Sequence, residues 1–142
     1  MFNKIGIVLV IFTLLSVVTA CKKSSVKLNP AKGKVLFKDQ PAEGALVVFS
    51  PAGEKNAQFR GTLPSATVNA DGSFEIQTEP SGVGAPAGEY AVLITWFPPR
   101  DENPNKSPKN KLPNKYGDAA HPLLKATVNE GENNLEPFNL TP

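Results

Sequence analysis

The sequence predicts an all-β protein, a single antiparallel Greek-key β-sandwich of about seven short strands that follows a signal peptide. Proline and glycine are frequent, with 14 prolines and 11 glycines in 142 residues. Past residue 29, the longest stretches without proline are 65–79 and 123–136. A proline inside a helix costs about 3 kcal/mol, so this spacing excludes an all-helical protein and an alternating α/β fold. Apolar residues that recur with a period of two then mark the individual strands.

The first 20 residues, MFNKIGIVLVIFTLLSVVTA, have the form of a signal peptide that is removed. One positive charge, Lys4, precedes an apolar run from Ile5 to Val18. As a helix this run would span about 21 Å, which is shorter than the hydrocarbon core of about 30 Å. The segment therefore predicts export rather than a permanent membrane span.

The sequence Val18-Thr19-Ala20-Cys21 resembles the lipobox of bacterial lipoproteins, in which small residues precede a cysteine. The resemblance implies that the Cys21 sulfur receives a diacylglyceryl group, with cleavage after Ala20 and acylation of the new amino terminus. Cys21 is also the only cysteine, so it has no partner for a disulfide within the chain. The alternative is an ordinary secretory signal followed by a chance cysteine.

Residues 22–28, KKSSVKL, form a short tether between the lipid and a domain over 29–142. Two or more acyl chains make such anchoring effectively permanent. Lys22 and Lys23 would lie at the lipid headgroups of the cell envelope membrane. No aspartate follows Cys21, and the resemblance to lipoproteins then implies the outer membrane in a cell that has two membranes.

Apolar residues alternate in KVLFKD, at Val35 and Phe37, and again in ALVVFS, at Val47 and Phe49. Turn-forming residues occupy 39–44 between these two segments. The pattern predicts two strands that are neighbours in one sheet.

The segment ATVNADGSFEIQT has the strongest local pattern in the chain. Two alternating runs flank Asp71-Gly72, a pair that favours the positive φ angles of a two-residue hairpin turn. Phe74 and Ile76 would then face the core. Calcium binding by 69–75 is the weaker interpretation, because the glycine and the acidic residues depart from the spacing of an EF-hand loop.

The next strand lies in EYAVLITWF and ends at Pro98-Pro99, since neither proline can donate a ladder hydrogen bond. One face of this strand would carry Tyr90, Val92, Ile94 and Trp96. The last predicted pair is 124–128 and 135–140, where Pro137 indicates a sheet edge or a bulge. An up-and-down barrel is the alternative architecture, although it would favour longer and more even strands.

The order of GKVLFKDQPAEGALVVFSP, DGSF, GAPAGEYAV, LPNKY and PLLKATVNEGENNLEPFNL resembles small bacterial lipoproteins. Their single domain is an Ig-like sandwich of the transthyretin-like or carboxypeptidase-regulatory-like class. The resemblance covers about residues 32–140 and rests on turn and strand-start residues, namely Gly33, Pro41, Gly44, Gly72, Gly88 and Tyr90. It implies a non-catalytic accessory or surface module.

The sequence contains no recognisable catalytic motif. The only histidine, His121, lies between Ala120 and Pro122, and no serine has a G-x-S-x-G setting. Zinc sites need clustered histidine and cysteine, which excludes zinc, and we expect no other metal and no cofactor. The alternative is an envelope carbohydrate hydrolase that uses two loop carboxylates, since such carboxylates need not be close in sequence.

Residues 98–117, PPRDENPNKSPKNKLPNKYG, form a polar loop with five positive and two negative charges. Loops longer than about 12–15 residues are usually functional or disordered. Leu112 and Tyr116 are predicted to dock its far end onto the sandwich. The candidate contact residues for a partner are Arg100, Lys106, Lys109, Lys111, Lys115 and Tyr116.

The favoured interpretation is a mobile, solvated loop, with mobility concentrated at about 99–111. The alternative is a contact surface for an envelope protein, a glycan or anionic lipid headgroups. Nucleic acid is not expected, because the basic residues are not interleaved with stacking aromatic residues. The formal net charge of +2 also gives the protein as a whole no general attraction for polyanions.

Overall fold

A computed structural model describes residues 25–53, 56, 61–100, 103 and 105–142. The predicted signal peptide, residues 1–20, and the predicted lipidation site, Cys21, lie outside these residues. The described residues form eleven short strands and one 3-10 turn, and none of them is in an α-helix, which confirms the all-β prediction. The strands are β1 Ala31–Phe37, β2 Gln40–Pro41, β3 Leu46–Pro51, β4 Ser65–Thr67, β5 Ser73–Glu75, β6 Gln77–Thr78, β7 Gly82–Val83, β8 Gly88–Thr95, β9 Leu124–Val128, β10 Asn133–Asn134 and β11 Phe138–Leu140, and the 3-10 turn is Asn114–Tyr116.

β1 is the central strand of a five-stranded sheet. Its first half pairs in parallel with β10 and antiparallel with β5. Its second half pairs in parallel with β11 and antiparallel with β2. This sheet is therefore mixed rather than fully antiparallel, because the chain enters β10 from the other sheet and runs beside β1 in the same direction.

The second sheet has six strands in the order β7-β6-β4-β3-β8-β9, and its pairings are antiparallel. β3 and β8 form its longest ladder, from Leu46 opposite Thr95 to Pro51 opposite Tyr90. Buried side chains from both sheets form one hydrophobic core. The molecule is thus a two-layer sandwich, as predicted, and not the alternative barrel.

The predicted neighbours β1 and β3 belong to different sheets, so this pairing was wrong. β1 instead forms a tight hairpin with β2 through Lys38 and Asp39, whose φ angles are 52° and 62°. The chain then crosses to the other sheet through Ala42 and Ala45, both fully buried. Residues 39–44 therefore belong partly to a hairpin turn and partly to the connection that crosses to the other sheet. The sequence pattern does not distinguish these two roles.

Asp71-Gly72 is a turn, as predicted, but it does not join a hairpin. Gly72 has a φ of 85°, and its N–H donates to the carbonyl oxygen of Asn69 at 2.9 Å. The strand before this turn, β4, pairs with β3, whereas the strand after it, β5, pairs with β1 in the other sheet. Likewise β9 pairs with β8, while β10 and β11 pair with β1, so the predicted pair 124–128 and 135–140 is also divided between the sheets.

The predicted core faces are confirmed. Tyr90, Val92 and Ile94 on β8, together with Phe74 and Ile76, are at most 2% exposed. Full burial of a large apolar side chain contributes about 1.5–3 kcal/mol, so these residues form a substantial part of the stabilising core. Trp96 continues the same face, packs against this core and remains partly exposed.

Pro137 lies in the break between β10 and β11. Because proline has no N–H to donate, the pairing with β1 stops and resumes at Phe138, opposite Val35. In the described sheet both short strands pair with β1 and with no other strand, so they form its edge. The predicted edge position of Pro137 is confirmed.

The two ends of the sandwich are defined by β1 and β8, which run in the same direction in opposite sheets. Before these strands, Asn29 and Ala85 exchange backbone hydrogen bonds of 2.8 and 3.0 Å. At the other end, the rings of Phe37 and Trp96 meet with centroids 6.3 Å apart. We call the end at Asn29 the tether end and the end at Phe37 and Trp96 the distal end. A strand of this length separates them by about 25 Å.

Within the described residues, no helix has the length and apolar character that crossing a membrane would require.

Candidate functional site

The long polar loop begins and returns at the distal end, directly after β8. The side-chain oxygen of Asn110 accepts hydrogen bonds from the backbone N–H groups of Trp96 and Leu112, at 2.8 and 3.1 Å. The N–H of Lys111 donates to the carbonyl oxygen of Trp96 at 2.7 Å. Residues 110–112 therefore form a fixed attachment of the returning loop to the end of β8.

The far end of the loop docks onto the sandwich, as the sequence predicts. Leu112 is 3% exposed and Tyr116 is 7% exposed, and both belong to the hydrophobic core. The hydroxyl of Tyr116 accepts a hydrogen bond from the N–H of Thr141 at 2.9 Å and lies 3.2 Å from the carbonyl oxygen of the same residue. Hydrogen bonding to Thr141 lowers the pKa of Tyr116. Tyr116 is thus an anchor of the loop with little surface to offer a partner.

The basic candidate residues of the loop lie on the surface. Arg100, Lys106, Lys109, Lys111 and Lys115 are all exposed. The ammonium group of Lys115 lies 5.2 Å from the centroid of the Tyr116 ring and donates to the backbone oxygen of Pro142 at 3.2 Å. Lys115 is therefore already engaged by the carboxyl-terminal segment.

A shallow cleft of about 460 Å³ lies within the outer part of the loop, between Pro98-Pro99 and 106–109. The side-chain oxygen of Asn103 accepts the N–H of Asn105 at 3.0 Å, and its carbonyl oxygen accepts the N–H of Lys106 at 3.1 Å. These bonds define a local turn at the tip of the loop. Mobility of 99–111, which the sequence suggests, stays a prediction.

A cluster of two rings and two lysines forms the distal end beside the loop. The ring planes of Phe37 and Trp96 meet edge to face, at an angle of 86°. The ammonium group of Lys111 lies 4.7 Å from the centroid of the Trp96 ring, and that of Lys38 lies 5.4 Å from the Phe37 ring. We call Phe37, Lys38, Trp96 and Lys111 the distal cluster. Sequence reasoning missed Lys38, because only the stacking of the two sheets brings it near the loop.

A second cleft lies at the tether end and has a volume of about 570 Å³. Two carboxylates, Glu89 and Glu130, are among its lining residues, together with the backbone at Gly53 and Gly88. Glu130 also lies 3.9 Å from the ammonium group of Lys27 in the tether. Both glutamates are exposed. This cleft is one place where the carboxylate-based alternative can be examined directly, and a further cleft of about 480 Å³ is lined by Glu75 and Glu79.

The acidic turn at Asp71 is organised by its own neighbours. The Asp71 carboxylate accepts the N–H of Ser73 at 2.9 Å and the Ser73 hydroxyl at 2.6 Å, and the hydroxyl bond is the main cause that lowers the pKa of Asp71. Asn69 donates to the same Ser73 hydroxyl at 3.1 Å. The polar residues of 69–73 therefore have a structural role in the turn.

His121 is also part of a local turn. Its Nδ1 lies 3.1 Å from Asp118 Oδ2, and Asp118 Oδ1 accepts the N–H of Ala120 at 2.9 Å. The hydrogen bond with His121 is the main cause that lowers the pKa of Asp118. In the part of the chain that the structure describes, no three histidine, cysteine, aspartate or glutamate side chains are grouped to hold a metal ion.

Comparison of the chain with protein-family models and with curated proteins finds no match.

Proposed function

We propose that this chain is a lipid-anchored lipoprotein of the bacterial cell envelope, in which the β-sandwich is a non-catalytic binding or structural module. The observation that carries the proposal is the Val18–Cys21 motif, which follows a short apolar run and contains the only cysteine. Residues 1–20 are the signal peptide, and Cys21 carries the acyl chains, including palmitate or a similar fatty acid. The anchor places the domain at a membrane, the outer one in a cell with two membranes.

The organisation of the tether end supports this anchored arrangement. Asn29 is 2% exposed, and its side-chain oxygen accepts the N–H of Gly131 at 3.0 Å. Its backbone pairs with Ala85. The chain is therefore held at Asn29, and the preceding 22–28 segment is short, so the tether end of the sandwich would face the membrane.

The bonding of the polar side chains supports a non-catalytic role. Asp71, Asp118 and His121 are three groups whose chemistry could suggest catalysis, and each is bonded within its own turn. The exposed basic side chains of the long loop, Arg100, Lys106, Lys109 and Lys111, could instead contact an envelope protein or a glycan. A transthyretin-like or carboxypeptidase-regulatory-like module, a class whose members generally act as accessories, is part of the proposal, and it rests on the sequence resemblance together with the two-layer β-sandwich.

The test of the anchor is replacement of Cys21 with serine in cells that are fed labelled palmitate. We expect the native chain to be labelled and to sediment with membranes, and Cys21→Ser to lose both properties. Ser24→Ala, a change three residues away that keeps the cysteine, is the matched control and should behave as the native chain. Equal labelling and sedimentation of Cys21→Ser and the control would contradict the proposal.

A carbohydrate hydrolase is the second candidate function, and the cleft with Glu89 and Glu130 favours it. Two carboxylates on either side of a glycosidic bond are the usual catalytic pair of glycosidases. The test measures the release of reducing ends from cell-wall glycan. Loss of release in Glu89→Gln and Glu130→Gln, but not in the exposed control Glu43→Gln, would replace the non-catalytic proposal with this one.

A further inference from the structure

We propose that the distal cluster binds an anionic glycan, a sugar polymer that carries carboxylate or phosphate groups. Binding to the cluster is independent of the anchor, whereas the direction in which the cluster faces rests on the proposed lipidation of Cys21. Because the tether and the distal cluster lie at opposite ends of β1 and β8, an anchored molecule would present this surface away from its own membrane.

The two lysines of the cluster have aromatic faces as neighbours rather than carboxylates. The ion pairs between described residues are Lys27–Glu130, Lys32–Glu75 and His121–Asp118. Lys38 and Lys111 are therefore not neutralised by any described acid, although Asp39 and Glu43 are exposed nearby in the chain. An ammonium group over a ring keeps its other side open to solvent, where it can meet an anion.

The backbone under both lysines is fixed by hydrogen bonds, and each ammonium group lies over a ring, so the two side chains begin from defined positions. Lys111 is bonded through its N–H to Trp96, and the neighbouring Asn110 side chain bonds the N–H of Trp96. The N–H of Lys38 donates to the carbonyl oxygen of Leu140 at 3.2 Å. Such preorganisation lowers the entropic cost of binding.

The two lysines of the cluster favour a polymer of sugars over a protein. Lysine is depleted in protein–protein interfaces, whereas its compact charge suits separate carboxylate or phosphate groups along a flexible chain. The partly exposed Trp96 adds an aromatic surface beside these charges. Arg100 and Lys109 of the adjoining loop are exposed and extend the basic surface for a longer chain.

Trp96 is the only tryptophan of the chain, so its fluorescence reports on the cluster directly. The test titrates the full mature chain in detergent with polygalacturonate, a polymer of uronic acid, and with neutral dextran. We expect a saturable change of emission with polygalacturonate only, which weakens as sodium chloride rises to about 0.5 M because salt screens exposed charges. Calorimetry on the same samples provides a second measure of binding.

Charge-removing variants locate the site. We expect Lys38→Gln and Lys111→Gln each to weaken the binding of polygalacturonate about threefold, and the double variant to weaken it about tenfold. Lys125→Gln is the matched control, because it removes the same charge from an exposed position on β9 and should leave binding unchanged.

Several outcomes would overturn the proposal. The proposal is wrong if polygalacturonate shows no saturable binding in both measurements, or if dextran binds equally well. It is also wrong if the double variant binds polygalacturonate with the same affinity as Lys125→Gln. Tighter binding of phosphatidylglycerol vesicles, lost in the same double variant, would assign the cluster to a lipid surface instead. Because no membrane is needed for the glycan titration, failure of the anchor at Cys21 would leave its result unaffected.

Discussion

The backbone N–H of Thr141 donates to the hydroxyl of Tyr116 at 2.9 Å and so joins the end of the long loop to the segment that follows β11. The Tyr116 ring also fills part of the core. One side chain therefore holds together two parts of the chain that are 25 residues apart.

Two substitutions separate the hydrogen bond made by the Tyr116 hydroxyl from the packing of the Tyr116 ring. We expect Tyr116→Phe to lower the free energy of unfolding by about 1 kcal/mol, since the N–H of Thr141 loses its partner while the ring remains. Tyr116→Ala should cost about 3–5 kcal/mol, because it also leaves a cavity. Urea unfolding measures both variants. Stability of Tyr116→Ala equal to that of Tyr116→Phe would show that the ring does not support the core.

Asn110 is expected to fix the return of the loop. Asn110→Ala removes the acceptor of two backbone N–H groups, those of Trp96 and Leu112, and should lower the free energy of unfolding by about 1–2 kcal/mol. Asn105→Ala, in the exposed tip of the same loop, is the matched control and should change it by less than about 0.5 kcal/mol. The two variants are compared by thermal unfolding, and equal midpoints would contradict the attachment role of Asn110.

Two glycines with similar backbone angles give a test of close packing at the tether end. Gly84 and Gly82 have φ angles of 105° and 125°, so alanine is strained at either position. A Cβ on Gly84 would lie 2.5 Å from the carbonyl oxygen of Asn29, whereas nothing lies within 4 Å of one on Gly82.

We therefore expect Gly82→Ala to cost about 1 kcal/mol of stability from backbone strain alone, and Gly84→Ala about 3 kcal/mol because overpacking adds to that strain. Chemical unfolding gives both values. Similar losses of stability in Gly82→Ala and Gly84→Ala would show that the backbone at Asn29 can shift to accommodate the added methyl group without an energetic cost.

Tyr90 should make stability fall in alkaline solution. Its hydroxyl donates to the carbonyl oxygen of Pro86 at 2.7 Å, and burial raises the pKa of Tyr90 above its ordinary value. The folded state thus holds the proton more tightly than the unfolded state. This contribution is complete below the unfolded pKa of about 10 and is lost as the pH rises above it.

The measurement compares the native chain with Tyr90→Phe in urea between about pH 9 and pH 11. Tyr90→Phe should be less stable at pH 9, because it lacks the hydrogen bond, and should lose less stability as the pH rises. Parallel pH profiles for the two proteins would show that Tyr90 does not titrate differently in the folded state.

The sequence was sufficient to predict which faces of the strands are buried, but not which strands pair with one another. The alternation of apolar and polar residues decides which side of a strand is apolar. This pattern placed Tyr90, Val92 and Ile94 correctly in the core. A turn such as Asp71-Gly72 reverses the chain whether the next strand pairs locally or crosses to the other sheet. That choice depends on the register between β5 and β1, about 40 residues apart, for which a single sequence has no local pattern.

The same limit applies to the candidate site. The length, charge and proline content of 98–117 identified a loop of interest, and Leu112 and Tyr116 were recognised as its anchors because they are its large apolar residues. Lys38 was not recognised, since it joins the distal cluster through the contact of two rings on different sheets, Phe37 and Trp96. Contacts between layers depend on how the sheets stack, and residue spacing does not encode this.

The parallel pairing of β1 with β10 and β11 has a consequence for the order in which the domain can assemble. A chain that emerges amino terminus first presents β1 long before residues 133–140, so the five-stranded sheet cannot be completed until nearly the whole domain has been released. Pairings between such distant segments are slow to form because loop closure comes first. Under the export proposed above, the five-stranded sheet would be completed only after nearly the whole domain has crossed the membrane.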